Sequence, residues 1–184
     1  MCEEKIDRSK MIRDRSFFTR PAEELAKDLI GKLICYRDID EKGRVFAIKE
    51  RICVTEAYRP IDDVTDANVS GKSKSQLLEG GHLHYYSGRL DIVAGQAGEA
   101  ASVLLRGLDG YDAQVGRTVD GIGIKPGENV DGLDLLDESG KIWLEDDGTV
   151  AELKVPEKRE NLPEWSKTRD ALLKFSAKSF TFPD

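Results

Sequence analysis

The sequence has little from which to build a redox, metal or membrane protein. Its 184 residues include only three cysteines and two histidines. Cys2, Cys35 and Cys53 are odd in number and widely spaced, with no CxxC pair, so neither a zinc knuckle nor a redox dithiol is indicated. Cys35 and Cys53 fall in apolar, strand-like stretches and read as small core residues. His82 and His84 would share one face of a strand, but two imidazoles without a third ligand do not make a metal site, and no metal is expected. No apolar run approaches the roughly 20 residues that span a bilayer. The polar start Met1-Cys2-Glu3-Glu4-Lys5 is followed by no signal-type apolar stretch. The expectation is an intracellular protein of the cytoplasm, nucleoid or nucleus, with no signal peptide and no membrane partner.

Basic charge is also short: 28 Lys and Arg stand against 35 Asp and Glu, for a net charge of −7. That balance argues against a surface that grips phosphates everywhere. The imbalance is local, however. Between Glu128 and Glu160 eleven acidic residues face four basic ones, which accounts for the whole net charge and leaves the rest balanced. This acidic run reads as a solvated face. Two glycine-containing stretches fail as nucleotide loops. Gly71-Lys72-Ser73-Lys74 lacks the upstream glycine of a P-loop, and Gly121-Ile122-Gly123 lacks the third glycine of a dinucleotide turn.

What is present is an ordinary globular balance, 39% hydrophobic and 34% charged, on a length that suits one domain. Residues 1–16 alternate charges and read as a loosely ordered N-terminal segment, with 17–184 as a single domain. Pro21 opens a helix in which Ala22, Leu25, Ala26, Leu29 and Ile30 form one apolar stripe, and Gly31 ends it. Strands are expected over Leu33–Arg37, Arg44–Tyr58, His82–Tyr86, Leu90–Ala94, Ala101–Arg106, Leu133–Leu136 and Ile142–Glu145. A long loop is expected over 59–81 and a glycine-rich loop over Gly121–Gly127. A second helix is expected over Pro163–Phe175. Helices mixed with antiparallel hairpins give an α+β fold.

Chemistry concentrates in two strands. In Val54-Thr55-Glu56-Ala57-Tyr58 a carboxylate sits in an otherwise apolar run, which costs free energy unless the group is paired or solvated. Such a group can act as a general base toward water. Val103-Leu104-Leu105-Arg106 ends an apolar strand on a guanidinium able to pair with it. A purely structural Glu–Arg ion pair fits the same residues.

Seven segments, in order, resemble the alkylpurine (3-methyladenine) DNA glycosylase family. They are Phe17 to Leu33, Thr55-Glu56-Ala57-Tyr58, the acidic pair Asp62-Asp63, Gly81-x-Leu83-His84-Tyr85-Tyr86, Ala101 to Arg106, Asn129 to Leu135, and Trp143 to Asp146. The sequence departs from the family pattern where Ala67 and Asn68 stand in place of a pocket histidine. Ser73-Lys74-Ser75-Gln76 replaces a Thr-x-Arg-Asn segment, and Val93 stands near a pocket asparagine.

The resemblance implies a single α+β domain with a curved, mostly antiparallel sheet flanked by helices. It also implies a monofunctional DNA glycosylase of base excision repair, in which an alkylated or deaminated purine is flipped out of the duplex. Glu56 and Arg106 would be catalytic, as the base that activates water and the group that holds the water. Tyr58 would stack on the flipped base. His84, Tyr85 and Tyr86 would line the pocket, with Tyr85 or Tyr86 as wall or wedge. Lys72, Lys74, Arg89 and Arg117 are candidate contacts to the DNA backbone. The implied partner is double-stranded DNA containing a damaged purine, bound by a monomer with no cofactor. Two other readings fit the same residues: an inactive base- or nucleic-acid-binding member of the fold, and a nucleoside or nucleotide hydrolase that does not act on DNA.

Overall fold

A computed structural model describes residues 6–60, 74–109, 122–124 and 128–183. The first helix forms where the apolar stripe requires it. α1 runs Ala22–Leu29 behind Pro21, with Glu23 and Glu24 in its first turn and Lys27 in its last, each favourable to the helix dipole. Ala22, Leu25, Ala26 and Leu29 are buried, and burying each leucine is worth about 1.5–3 kcal/mol. The helix lies on the sheet, and Thr55 Oγ1 donates 2.8 Å to the Ala26 carbonyl. Gly31 then leaves the helix with φ +94°, a conformation that favours glycine.

Eight strands follow: β1 (Leu33–Ile39), β2 (Val45–Tyr58), β3 (Leu83–Tyr86), β4 (Arg89–Ala94), β5 (Ala101–Leu108), β6 (Ile142–Glu145), β7 (Val150–Leu153) and β8 (Lys174–Thr181). All pairings are antiparallel, in the order β3-β4-β5-β2-β1-β6, with β8 against β2 and β7 against β8. β2 is the spine. Its first half pairs with β1 over Val45–Arg51, and its second half pairs with β5. β8 takes the edge that β1 leaves, opposite Val54, Thr55 and Glu56. The end of β2 is therefore enclosed on both sides, and Glu56 is 0% exposed. The expected α+β architecture with a curved antiparallel sheet holds, and the described residues contain one α-helix.

Two expected elements do not form. Leu133–Leu136 is not a strand: only Asp134 bridges, to His82. Asp134 and Asp137 instead accept from the amides of Leu136 and Ser139, local turns that compete with a ladder. Pro163–Phe175 is not a helix. Isolated turns close from Ser166 to Pro163 and from Ala171 to Thr168, and Leu173 and Phe175 then alternate inward as the chain enters β8. Trp165 and Leu172 stay exposed, so the helical stripe read from them has nothing to pack on.

The N-terminal segment is tied down from Arg8 onward, where the guanidinium donates to Gly140 O at 2.6 Å and lies over the Trp143 ring. Asp146 N donates to Lys10 O, Ile12 N donates to Leu144 O, and buried Met11 bridges Glu145. Cys35 is fully buried and Cys53 partly so. Burial pushes both thiols up, that of Cys53 to about 11, which suits inert packing. Among the described residues no helix is long and apolar enough to cross a membrane.

Candidate active site

Side chains alternate across a sheet, so the register decides which residues meet. Glu56 lies opposite Leu104, Tyr58 opposite Ser102, Asp91 opposite Leu104, and His84 opposite Asp91. These residues share one face, and that face carries a pocket. Tyr58, Gln76, His84, Tyr86, Arg89, Asp91, Leu104 and Arg106 line it, with residues 160–163 closing one side. Its volume is about 90 Å³, well below a drug-sized cleft.

Arg106 follows Leu104 by two residues and reaches this face by ordinary strand alternation, beside an irregularity in the ladder. Val54 pairs with Gly107 and Thr55 with Leu105, so Arg106 is skipped. Arg106 Nε lies 3.7 Å from Glu56 Oε1, and its Nη2 donates 3.2 Å to Glu160 Oε2. Lys174 pairs with Glu160 from the other side, and together the two cations hold the Glu160 carboxyl below the usual carboxylate range.

Glu56 has three partners. Oε1 accepts from the Glu160 amide at 3.0 Å and faces Arg106, and Oε2 accepts from the Tyr58 hydroxyl at 3.3 Å. Such contacts offset much of the cost of a fully buried carboxylate. Burial and the neighbouring Glu56 push the Tyr58 phenol up, so it remains a donor. The Arg159 guanidinium covers one face of the Tyr58 ring at 4.6 Å, and its Nη1 donates to Ala57 O.

A polar floor lies beside this pair. Ser102 Oγ donates 2.9 Å to Asp91 Oδ2 and accepts from Gln76 Nε2 at 3.2 Å. Asp91 is pushed up from the ordinary carboxylate value, chiefly by burial. His84 Nδ1 lies 2.7 Å from Ser75 Oγ, which donates to Asp131 at 2.7 Å.

The structure thus brings together Glu56, Arg106, Tyr58, His84 and Tyr86, with Arg89 at the pocket and Lys74 exposed just before Ser75. Tyr85 does not join them. It alternates to the opposite face and packs on the hydrophobic core, a consequence of strand periodicity. Lys72 and Arg117 lie outside the described residues, as do Asp62, Asp63, Ala67, Asn68, Ser73 and Gly121. His82 sits apart, 3.9 Å from Asp134, and among the described residues no three His, Cys, Asp or Glu side chains cluster to hold a metal.

Sequence reasoning missed Asp91, Gln76, Ser102 and Glu160. Asp91 carried a usable signal, a carboxylate inside the apolar run Leu90-Asp91-Ile92-Val93-Ala94, of the same kind that singles out Glu56. Glu160 carried none, because it is one acid among eleven in a charged segment.

Comparison with known proteins finds relatives over part of the chain. A protein of Pseudomonas fluorescens (strain Pf0-1) named "Putative 3-methyladenine DNA glycosylase" is 37% identical over 76 residues, 40% of this chain and 31% of the relative. One of the same name from Pseudomonas syringae pv. tomato is 37% identical over 75 residues, and again the match spans 31% of the relative's length. The family model for methylpurine-DNA glycosylase matches residues 16–115, more than half of the sequence and the stretch that supplies Glu56, Tyr58 and Arg106. The chain belongs to the methylpurine-DNA glycosylase family.

Proposed function

We propose that this chain is a DNA glycosylase acting inside the cell in base excision repair, with residues 17–184 working as one domain. Its substrate is an alkylated or deaminated purine flipped from double-stranded DNA. The observation that carries this reading is Glu56, fully buried yet held between a guanidinium, a phenol and a backbone N–H, directly behind the Tyr58 and Arg106 that line a small polar pocket. In the proposed step a water oxygen forms a bond to the sugar C1′. Glu56 accepts its proton, the bond from C1′ to the purine nitrogen breaks, and that electron pair leaves with the base. Arg106 holds Glu56 and the water in line, the free face of Tyr58 stacks on the base, and Tyr86 forms the outer wall. Arg89, at the pocket, and the exposed Lys74 contact the phosphate backbone, and one protomer suffices.

Base release from a duplex carrying one such purine tests the reading. Wild type should release the base, and Glu56→Gln should slow release by at least ~100-fold while keeping DNA affinity. A folded wild type that releases no alkylated or deaminated purine would overturn it. One observation favours a second reading, a member of the fold that binds bases without turnover: both Glu56 oxygens already have partners.

A further inference from the structure

Gln76 is a pocket residue whose hydrogen bonding is incomplete. It is 2% exposed and sits in a single 3-10 turn, Ser75–Leu77, laid over the polar floor. Ser102 fixes the direction of its amide. The Ser102 hydroxyl proton is committed to Asp91 at 2.9 Å, so Ser102 Oγ accepts, and the Gln76 nitrogen must be the end facing it, at 3.2 Å. That leaves Gln76 Oε1 at the other end, with no hydrogen-bond partner among the described residues. A buried acceptor left unmade is rare in folded proteins and unfavourable. Gln76 lines the pocket together with Tyr58, His84 and Asp91, so the missing donor can arrive with whatever fills the pocket.

We propose that Gln76 reads the base: its Oε1 accepts a hydrogen bond from an N–H on the edge of the bound purine, and the site prefers rings that carry such a donor over the same ring without one. This rests on the reading of the pocket as a base-holding site, and it adds the residue that sets specificity. The relay from Asp91 through Ser102 positions Gln76. A purine that offers only ring nitrogens at that edge would set acceptor against acceptor. The two readings make separate demands. Excision needs Glu56 and Arg106, whereas discrimination among bases needs Gln76 and the hydroxyl of Ser102.

Titration of the full chain with nucleosides tests the proposal without requiring turnover. Inosine carries an N1–H. N1-methylinosine keeps the oxo group but replaces that hydrogen, and purine riboside has neither. Wild type should bind inosine about tenfold tighter than the other two, the effect of one unmade buried hydrogen bond. Gln76→Met keeps the volume and removes the acceptor. It should bind all three alike with little change in melting temperature. Ser102→Ala, a smaller change, should shrink the preference in the same direction should the methionine variant not fold. Equal binding of the three nucleosides by wild type, binding of none, or a preference that survives in either folded variant would overturn the role of Gln76. Discrimination that depends on Gln76 in a protein that releases no base from DNA would remove the excision reading and leave Gln76 as the reader. Base release without discrimination would do the reverse.

Discussion

Arg106 Nε stands 3.7 Å from Glu56 Oε1, on the face that Arg106 shares with Leu104 two residues before it and that Glu56 shares across the ladder. From that position one guanidinium faces Glu56 with Nε and Glu160 with Nη2. The closing segment around residue 160 is thereby tied to the strand that carries the carboxylate.

The fork should matter more than the charge. Arg106→Lys keeps the positive charge but loses the planar, multi-donor geometry that spans Glu56 and Glu160. Base release under single-turnover conditions should fall by roughly 10- to 100-fold, as expected when a positioned hydrogen-bonding group is lost. Melting temperature should drop by only a few degrees. A lysine variant that matches wild type in rate would show that charge alone suffices.

Gly80 is fixed by backbone, not by conformation. A Cβ there would lie 2.5 Å from the Phe18 carbonyl oxygen and 3.1 Å from the Gly95 oxygen, and neither backbone group can rotate away. The close approach lets Gly80 N donate to Gly95 O and Gly95 N donate to Phe18 O, which pins the segment before α1 to the pocket strands. Gly80→Ala should therefore cost about 2–3 kcal/mol, as overpacked sites do, read from urea denaturation. Gly43, in the exposed β1–β2 turn with nothing within 4 Å of a built Cβ, is the control. Its alanine variant should lose only about 1–2 kcal/mol, from its positive φ. An equal or smaller cost at Gly80 would refute the steric account.

Much of this fold is legible in the sequence where local pattern and tertiary demand agree. The stripe Ala22, Leu25, Ala26 and Leu29 needed only the helical period, and β2, β4 and β5 are apolar runs with turn residues at their ends. The hairpin turn between β3 and β4 is Ser87-Gly88, both at positive φ, a two-residue solution that suits the strand twist. The errors fall where the partner, not the pattern, decides. β8 exists because the end of β2 has a vacant edge, and nothing in Lys174–Thr181 announces that edge. The site divides the same way. Glu56 and Asp91 betray themselves as charges in apolar strands. Gln76 becomes significant only when Ser102, a residue 26 positions away, turns its amide.

Arg51 and Asp147 supply a stability test away from the pocket. Arg51 donates to both Asp147 oxygens, at 3.1 and 2.7 Å, and also to Gly31 O at 2.6 Å. The guanidinium holds the Asp147 carboxyl well below its ordinary value of 3.8. Folding therefore favours the ionised form. The stabilisation is present in full above pH 3.8 and fades as pH falls below it toward the folded value. Asp147→Asn should lose about 1.5–3 kcal/mol at pH 7, the range for hydrogen bonds to charged groups, and the gap to wild type should narrow in acid. A gap of constant size from pH 7 down to the acid transition would separate Asp147 from this linkage.

Asp91 should behave with the opposite sign. Its carboxyl is raised above 3.8, chiefly by burial and also by Glu56, while His84, Ser102 and Arg89 pull it down. The folded state thus binds the proton more tightly than the unfolded state. Stability from this group is complete below pH 3.8 and is lost as pH rises through the folded value. Asp91→Asn keeps an oxygen for the Ser102 hydroxyl and removes the charge. It should melt with wild type at pH 3.5 and above wild type at pH 8, with the separation opening between those limits. The same variant bears on the pocket. A neutral amide at position 91 still accepts from Ser102, so the direction of the Gln76 amide, and with it the preference among nucleosides, should persist. A variant that melts below wild type at pH 8 would show that the Asp91 charge is compensated more fully than its burial implies, and the pH dependence of stability would then have to come from elsewhere.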